Sequence, residues 1–94
     1  MKIVFLAKWR PETDSAAIEN LLEVAEKSLA SGPFADYQHG LGLHLAQGGA
    51  SVADWGFILD LEPDDLERWK TSEAHEALGR ALRPICGEGM TIEF

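Results

Sequence analysis

Lysine and arginine are absent from residues 28–67, a stretch that holds Asp36, Asp54, Asp60, Glu62, Asp64, Asp65 and Glu67. A chain without a basic footprint cannot neutralise phosphates, which argues against nucleic acid as a partner. The same shortage argues against an anionic membrane surface. Over the full length 8 basic residues face 16 acidic ones, a net charge of −8 that favours solubility. Cysteine is nearly missing. Cys86 stands alone, so no internal disulfide can form and a reducing compartment is expected. Long hydrophobic runs are missing too: "IVFLA" near the start is far too short to span a bilayer and lacks a small-residue cleavage site. These absences together lead to the expectation of a cytoplasmic protein. There is no internal repeat, linker or low-complexity segment.

What is present suits one small domain, residues 1–94. A chain of this size buries only about two-thirds of the surface it would expose unfolded, so oligomerisation is a common remedy. Hydrophobic residues make up 46% of the chain, enough for an interface as well as a core.

"KIVFLAKWR" (2–10) is rich in β-formers and ends at Pro11, which predicts a first strand. It is apolar almost throughout, as a strand covered on both faces would be. "PETDSAAIENLLEVAEKSLASG" predicts a helix capped by Thr13, Asp14 or Ser15, with Ile18, Leu21, Leu22, Ala25 and Leu29 on one stripe. Glu23 and Lys27 are spaced to pair on its outer side, and Gly32-Pro33 ends it. "FADYQHGLGLHL" (34–45) predicts a second strand, weakened by Gly40 and Gly42, which are expected to mark a bulge. "AQGGAS" reads as a loop and "ADWGFILDL" (53–61) as a third strand. Pro63, Asp64 and Asp65 start a helix running to about Lys70. Ser72 caps a second helical piece that is expected to reach Pro84, and "GEGMTIEF" is a last strand.

The order strand, helix, strand, strand, helix, strand predicts an α+β, ferredoxin-like βαββαβ unit. Its antiparallel four-stranded sheet carries the helices on one face. Strands one and three are apolar on both sides, so the bare face needs a cover. A second copy of the chain is the simplest one, which predicts a homodimer through the sheet face.

The opening "IVFLAKWRPET", the strand "DWGFILDLE" and above all "LERWKTSEAHEALGRALRP" resemble the stress-responsive A/B barrel family, a branch of the dimeric α/β barrels. The last segment is similar to that family's Leu-Glu-x-Tyr…Pro-x-His pattern before a terminal strand. The resemblance implies two ferredoxin-like sheets packed face to face into a barrel with helices outside. It also implies a relationship to plant polyketide cyclases, which close aromatic rings without a cofactor. By that resemblance His75 matches the catalytic histidine, Trp69 takes the place of a pocket tyrosine, and Trp55 that of a second pocket histidine. Ile3 lies where a further histidine is found, so three of the four polar pocket positions differ here. Many members of the family have no assigned activity, and a cofactor-free monooxygenase is a further reading by fold analogy.

His75 also has a reading from position alone. With Leu78 at the centre of the buried stripe, Ala74, Ala81, Leu82 and Ile85 fall within about 60° of it at roughly 100° per residue. His75 lies at the stripe's edge, so a half-buried ring at the seam between helix and sheet is expected. The helix N-terminus favours a neutral, base-competent imidazole there. The alternative is a ring that hydrogen-bonds a backbone carbonyl and pins two helical segments together.

Trp55 and Trp69 beside His75 would form an aromatic wall for a flat, apolar ligand, or they pack in core and interface. Phe57 shares the face of Trp55 by period two, and Gly56 would let a backbone or ligand approach closely. Tyr37 and His39 share one face of the second strand, with His44 on the other, and supply a candidate second polar group. With Asp36 they lack any metal-site spacing, so no metal and no cofactor is expected. Cys86, away from a helix N-terminus, reads as a buried inert thiol. The candidate site is therefore His75 as base, with Trp55, Trp69, Tyr37, His39 and Phe57 around a small aromatic or polyketide-like molecule. The competing reading is a non-catalytic stress-response or accessory dimer.

Overall fold

The computed structural model describes residues 1–42 and 53–94. Along the chain run β1 (Lys2–Trp9), α1 (Ser15–Ala30), β2 (Asp36–Leu41), β3 (Trp55–Asp60), α2 (Pro63–Lys70), α3 (Glu73–Leu82) and β4 (Cys86–Glu93). The strands form one antiparallel sheet in the order β2-β3-β1-β4. This is the ferredoxin-like α+β arrangement that the element order predicts, with the second helical region divided in two.

Each helix starts where its capping chemistry places it. Asp14 caps α1, its Oδ1 accepting from the Ala16 N–H at 3.0 Å. Leu21, Ala25 and Leu29 are buried along one stripe, and Glu23 pairs with Lys27 at 3.8 Å on the outer side. Pro63 opens α2 with Asp64 and Asp65 in the first turn, where the helix dipole favours negative charge. Ser72 caps α3. That helix ends at Leu82, short of the expected Pro84, because Arg83 and Pro84 turn the chain into β4.

In β1, Ile3, Phe5 and Ala7 share the face toward the helices; Val4 and Leu6 share the other. In β3, Trp55, Phe57 and Leu59 lie on the helix side. Its Ile58, on the open side, is 44% exposed. Met90 and Ile92 of β4 join the open side by register with Leu6 and Val4. Both faces of the central strands are thus apolar, and only one is covered by helices.

The expected bulge on the second strand is not there. β2 and β3 stay in register from Asp36↔Asp60 to Leu41↔Trp55, and the Gly42 N–H continues the ladder to the Asp54 carbonyl at 2.8 Å. Gly40 pairs with Gly56, so the two glycines strip side chains from one spot on the open face instead of adding a residue to a strand. The register shift falls between β1 and β4. Lys8 pairs with Glu88 and Trp9 with Cys86, leaving Gly87 as the extra residue. Residues 43–45 of the expected second strand, His44 among them, and the "AQGGAS" loop lie outside the described residues.

Candidate functional site

The sheet order decides what can meet under the helices. β1 is central, and the direct cross-strand partners Phe5 and Phe57 stack with ring centroids 5.3 Å apart and planes 16° from parallel. They form the floor of a cleft with Ile3 and Leu59. Leu66 and Trp69 of α2 and His75, Leu78 and Leu82 of α3 form the opposite wall, enclosing about 410 Å³. Lys70, His75, Thr91 and Glu93 are the polar and charged side chains of this lining.

Trp69 is the anchor of the wall, 3% exposed and held edge-on from two sides. The Phe34 ring meets it at 4.9 Å and 74°, and the His75 imidazole at 5.3 Å and 83°. Ser72 ties this pair together through the backbone. Its hydroxyl donates to the Trp69 carbonyl at 2.7 Å and accepts from the His75 N–H at 3.1 Å. One side chain therefore links the last turn of α2 to the start of α3 and ties the backbones of Trp69 and His75 together.

His75 is exposed at the cleft, not half-buried in a seam. It stands in the first turn of α3. Among the described residues its ring makes no hydrogen bond, to a backbone carbonyl or to a carboxylate. The ring packs against Trp69 with the two planes nearly perpendicular.

Trp55 is not a wall of the cleft. It is fully buried behind the floor, against Phe5 at 6.2 Å and Phe57 at 5.6 Å. Tyr37 and His39 are also elsewhere, because β2 is the edge strand on the far side of β3 while the cleft lies over β3, β1 and β4. They converge on Glu26 of α1. The Tyr37 hydroxyl donates to Glu26 Oε1 at 3.2 Å, and His39 Nε2 lies 2.7 Å from Glu26 Oε2. The His39 and Tyr37 hydrogen bonds, in that order, hold the Glu26 carboxyl below its ordinary range. Burial, then the Glu26 contact, pushes the Tyr37 hydroxyl up.

Of the six residues read from the sequence, His75, Trp69 and Phe57 meet in the cleft; Trp55, Tyr37 and His39 form a second group beside it. Sequence reasoning missed Phe5, Thr91, Glu93 and Glu26. Period two along β1 places Phe5 with Ile3 and was a usable signal. Glu26 carries none, since it reads as an outer helix position until β2 is laid beside α1. Cys86 is half-buried, its thiol donating to the Glu88 carbonyl at 3.2 Å. Burial pushes the thiol's pKa up against the opposing effect of Arg10. Gly56 makes its close approach within the sheet, where a Cβ would lie 2.7 Å from the Phe5 carbonyl oxygen. Among the described residues no group of three His, Cys, Asp or Glu side chains is placed to hold a metal ion. No helix among them is long and apolar enough to cross a membrane.

Solved structures share this architecture at low identity. A dimeric ferredoxin-like protein of unknown function from Thermobifida fusca is 20% identical, with 99% of this chain and 87% of that one covered and a TM-score of 0.85. A dabb-family protein with a ferredoxin-like fold from Mesorhizobium loti is 15% identical, covering 99% and 92%, with a TM-score of 0.74. A hydroxynitrile lyase from Passiflora edulis is 9% identical, covering 99% and 89%, with a TM-score of 0.77. No protein-family model and no curated protein matches the chain. What these likenesses share with the chain is the ferredoxin-like fold.

Proposed function

We propose that the chain is one single-domain subunit, residues 1–94, of a homodimeric α/β barrel whose aromatic cleft binds a flat, apolar small molecule. The observation that carries this reading is the cleft itself. A stacked Phe5–Phe57 floor faces a buried Trp69 wall across about 410 Å³, with His75 against the indole. Concave sites lined mostly by hydrophobic and aromatic side chains, with a few polar groups, are the usual form of small-molecule pockets. The open sheet face supports the dimer. Ile58, Met90 and Ile92 are 44%, 60% and 48% exposed there, and pairing two such faces closes a barrel. The Thermobifida fusca protein, with the same fold, is described as dimeric.

In the catalytic form of this reading His75 takes a proton from the bound molecule in a cofactor-free cyclisation or isomerisation, while Trp69 and Phe57 hold the substrate flat. The hydroxynitrile lyase from Passiflora edulis has this fold, which supports the scaffold's capacity for chemistry by analogy alone. A binding or accessory dimer without turnover is the second reading. It is favoured by one observation: no carboxylate among the described residues orients the His75 ring, as a base in a nucleophile–base–acid relay is oriented.

Titration of the dimer with 2-naphthol, followed by tryptophan fluorescence, tests the site. Saturable quenching that Trp69→Phe diminishes is expected, and a flat response up to the solubility limit rules the cleft out as an aromatic site. His75→Ala then separates the two forms. Loss of turnover in a folded variant assigns the base, while retained turnover removes His75 from that role.

A further inference from the structure

The group beside the cleft contains an unmet pair of hydrogen-bonding atoms. A carboxylate can only accept, so the imidazole nitrogen that faces Glu26 at 2.7 Å, Nε2, carries the hydrogen. In the neutral ring the other nitrogen, Nδ1, is then an acceptor. Among the described residues Nδ1 is buried without a hydrogen-bond partner, and so is the Nε1–H of Trp55. The Trp55 side chain is 0% exposed and the His39 side chain 12%. Their rings are neighbours on the helix side of the sheet, with centroids 6.2 Å apart and planes 62° from parallel.

An indole N–H is a donor only. The lone donor and the lone acceptor are therefore complementary, yet they are not bonded to each other. Buried polar groups in folded proteins are paired with protein or with ordered water in the great majority of cases. A single oxygen standing about 2.7–3.2 Å from each nitrogen would satisfy both atoms at once.

We infer that His39 and Trp55 form a buried binding site for a single water-sized oxygen, which accepts from Trp55 Nε1–H and donates to His39 Nδ1. The occupant is a water molecule, since both side chains are almost wholly enclosed and the pair requires one acceptor and one donor function. Glu26, held ionised by Tyr37 and His39, fixes the tautomer from outside. The carboxylate, imidazole and oxygen then stand in line, with the carboxylate strengthening the ring as an acceptor. The site is independent of the cleft ligand, because neither nitrogen belongs to the cleft.

The test is NMR on the ¹⁵N-labelled full chain, with the Trp55 and His39 rings assigned by through-bond correlation so that no variant is needed first. The expected result is a cross-peak between Trp55 Hε1 and water, together with a neutral His39 protonated at Nε2 and bare at Nδ1. An Nδ1–H tautomer, or a Trp55 Hε1 with no water cross-peak, overturns the proposal. His39→Phe keeps an aromatic ring and removes the acceptor. Loss of the water cross-peak at Trp55, with the Trp9 and Trp69 indole signals unmoved, is the supporting outcome; a persisting cross-peak overturns His39 as the partner.

Discussion

The Trp69 indole and the His75 imidazole meet at 83° and 5.3 Å, and the Ser72 hydroxyl bonds the backbone of both residues. The geometry of the candidate site is thus fixed by a helix cap. Ser72→Ala should cost about 1 kcal/mol, the usual worth of an N-cap, measured as a lower urea midpoint at unchanged slope. Ser72→Thr, which keeps the hydroxyl, should restore most of it. A Ser72→Ala protein as stable as wild type would mean that the cap contributes nothing.

Phe34 packs edge-on against Trp69 without lining the cleft, and Gly32 makes room for its ring. A Cβ on residue 32 would collide with the Phe34 ring, which can relieve the clash only by moving. Gly32→Ala should therefore displace Phe34 from the indole and cost about 1–3 kcal/mol, the range for overpacking. The measurement is urea unfolding followed by tryptophan emission, with a red-shifted native spectrum as Trp69 gains water. An unshifted spectrum and unchanged midpoint would show that the ring contact does not support the wall.

Glu26 and Tyr37 should bound stability on opposite sides of the pH scale. The Glu26 carboxyl is lowered from its ordinary 4.5 by its hydrogen bonds to His39 and then Tyr37. Its contribution is present above that ordinary value and lost as pH falls through the depressed one. Tyr37 is raised from 10.0 by burial and then by Glu26, so its contribution is present below 10.0 and lost as pH rises through the raised value. Urea midpoints measured across pH should fall less steeply in acid for Glu26→Gln and less steeply in alkali for Tyr37→Phe. Variants with the acid and alkaline limbs of the wild type would remove this network from the pH dependence.

Local chemistry made the elements readable in advance. Asp14, Pro63 and Ser72 announce three helix starts, and alternation along "WGFILD" separates a buried face from one that includes the exposed Ile58. The site was readable only in part. Trp69 and His75 are six residues apart and joined by one turn, so spacing alone brings them together. Trp55 and Trp69 belong to different layers, and only the sheet order shows Phe5 and Phe57 standing between Trp55 and the cleft. Glu26, Tyr37 and His39 meet through the packing of α1 on an edge strand, a long-range contact with no mark in either segment. Gly40 and Gly42 were misread because a glycine signals a bulge or a bare patch equally well. Only the register, Gly40 opposite Gly56, tells which.

That bare patch is the basis of the last prediction. Ile58 lies beside Val4 on the open face, in line with Ile92 across β1, and close to the Gly40–Gly56 pair. If a second copy covers this face, a charge at its centre must be desolvated on pairing without a partner, which costs far more than a surface substitution. In the isolated subunit residue 58 is already 44% exposed, so the same charge is tolerated by the fold. Ile58→Glu should therefore convert a dimer to a folded monomer, with sedimentation equilibrium showing the mass halved while the circular dichroism spectrum is kept. Glu19→Gln, on the outer side of α1, should leave the mass unchanged. A wild-type protein that sediments as a monomer at micromolar concentration sinks the dimer, and a dimeric Ile58→Glu protein moves the interface off the sheet.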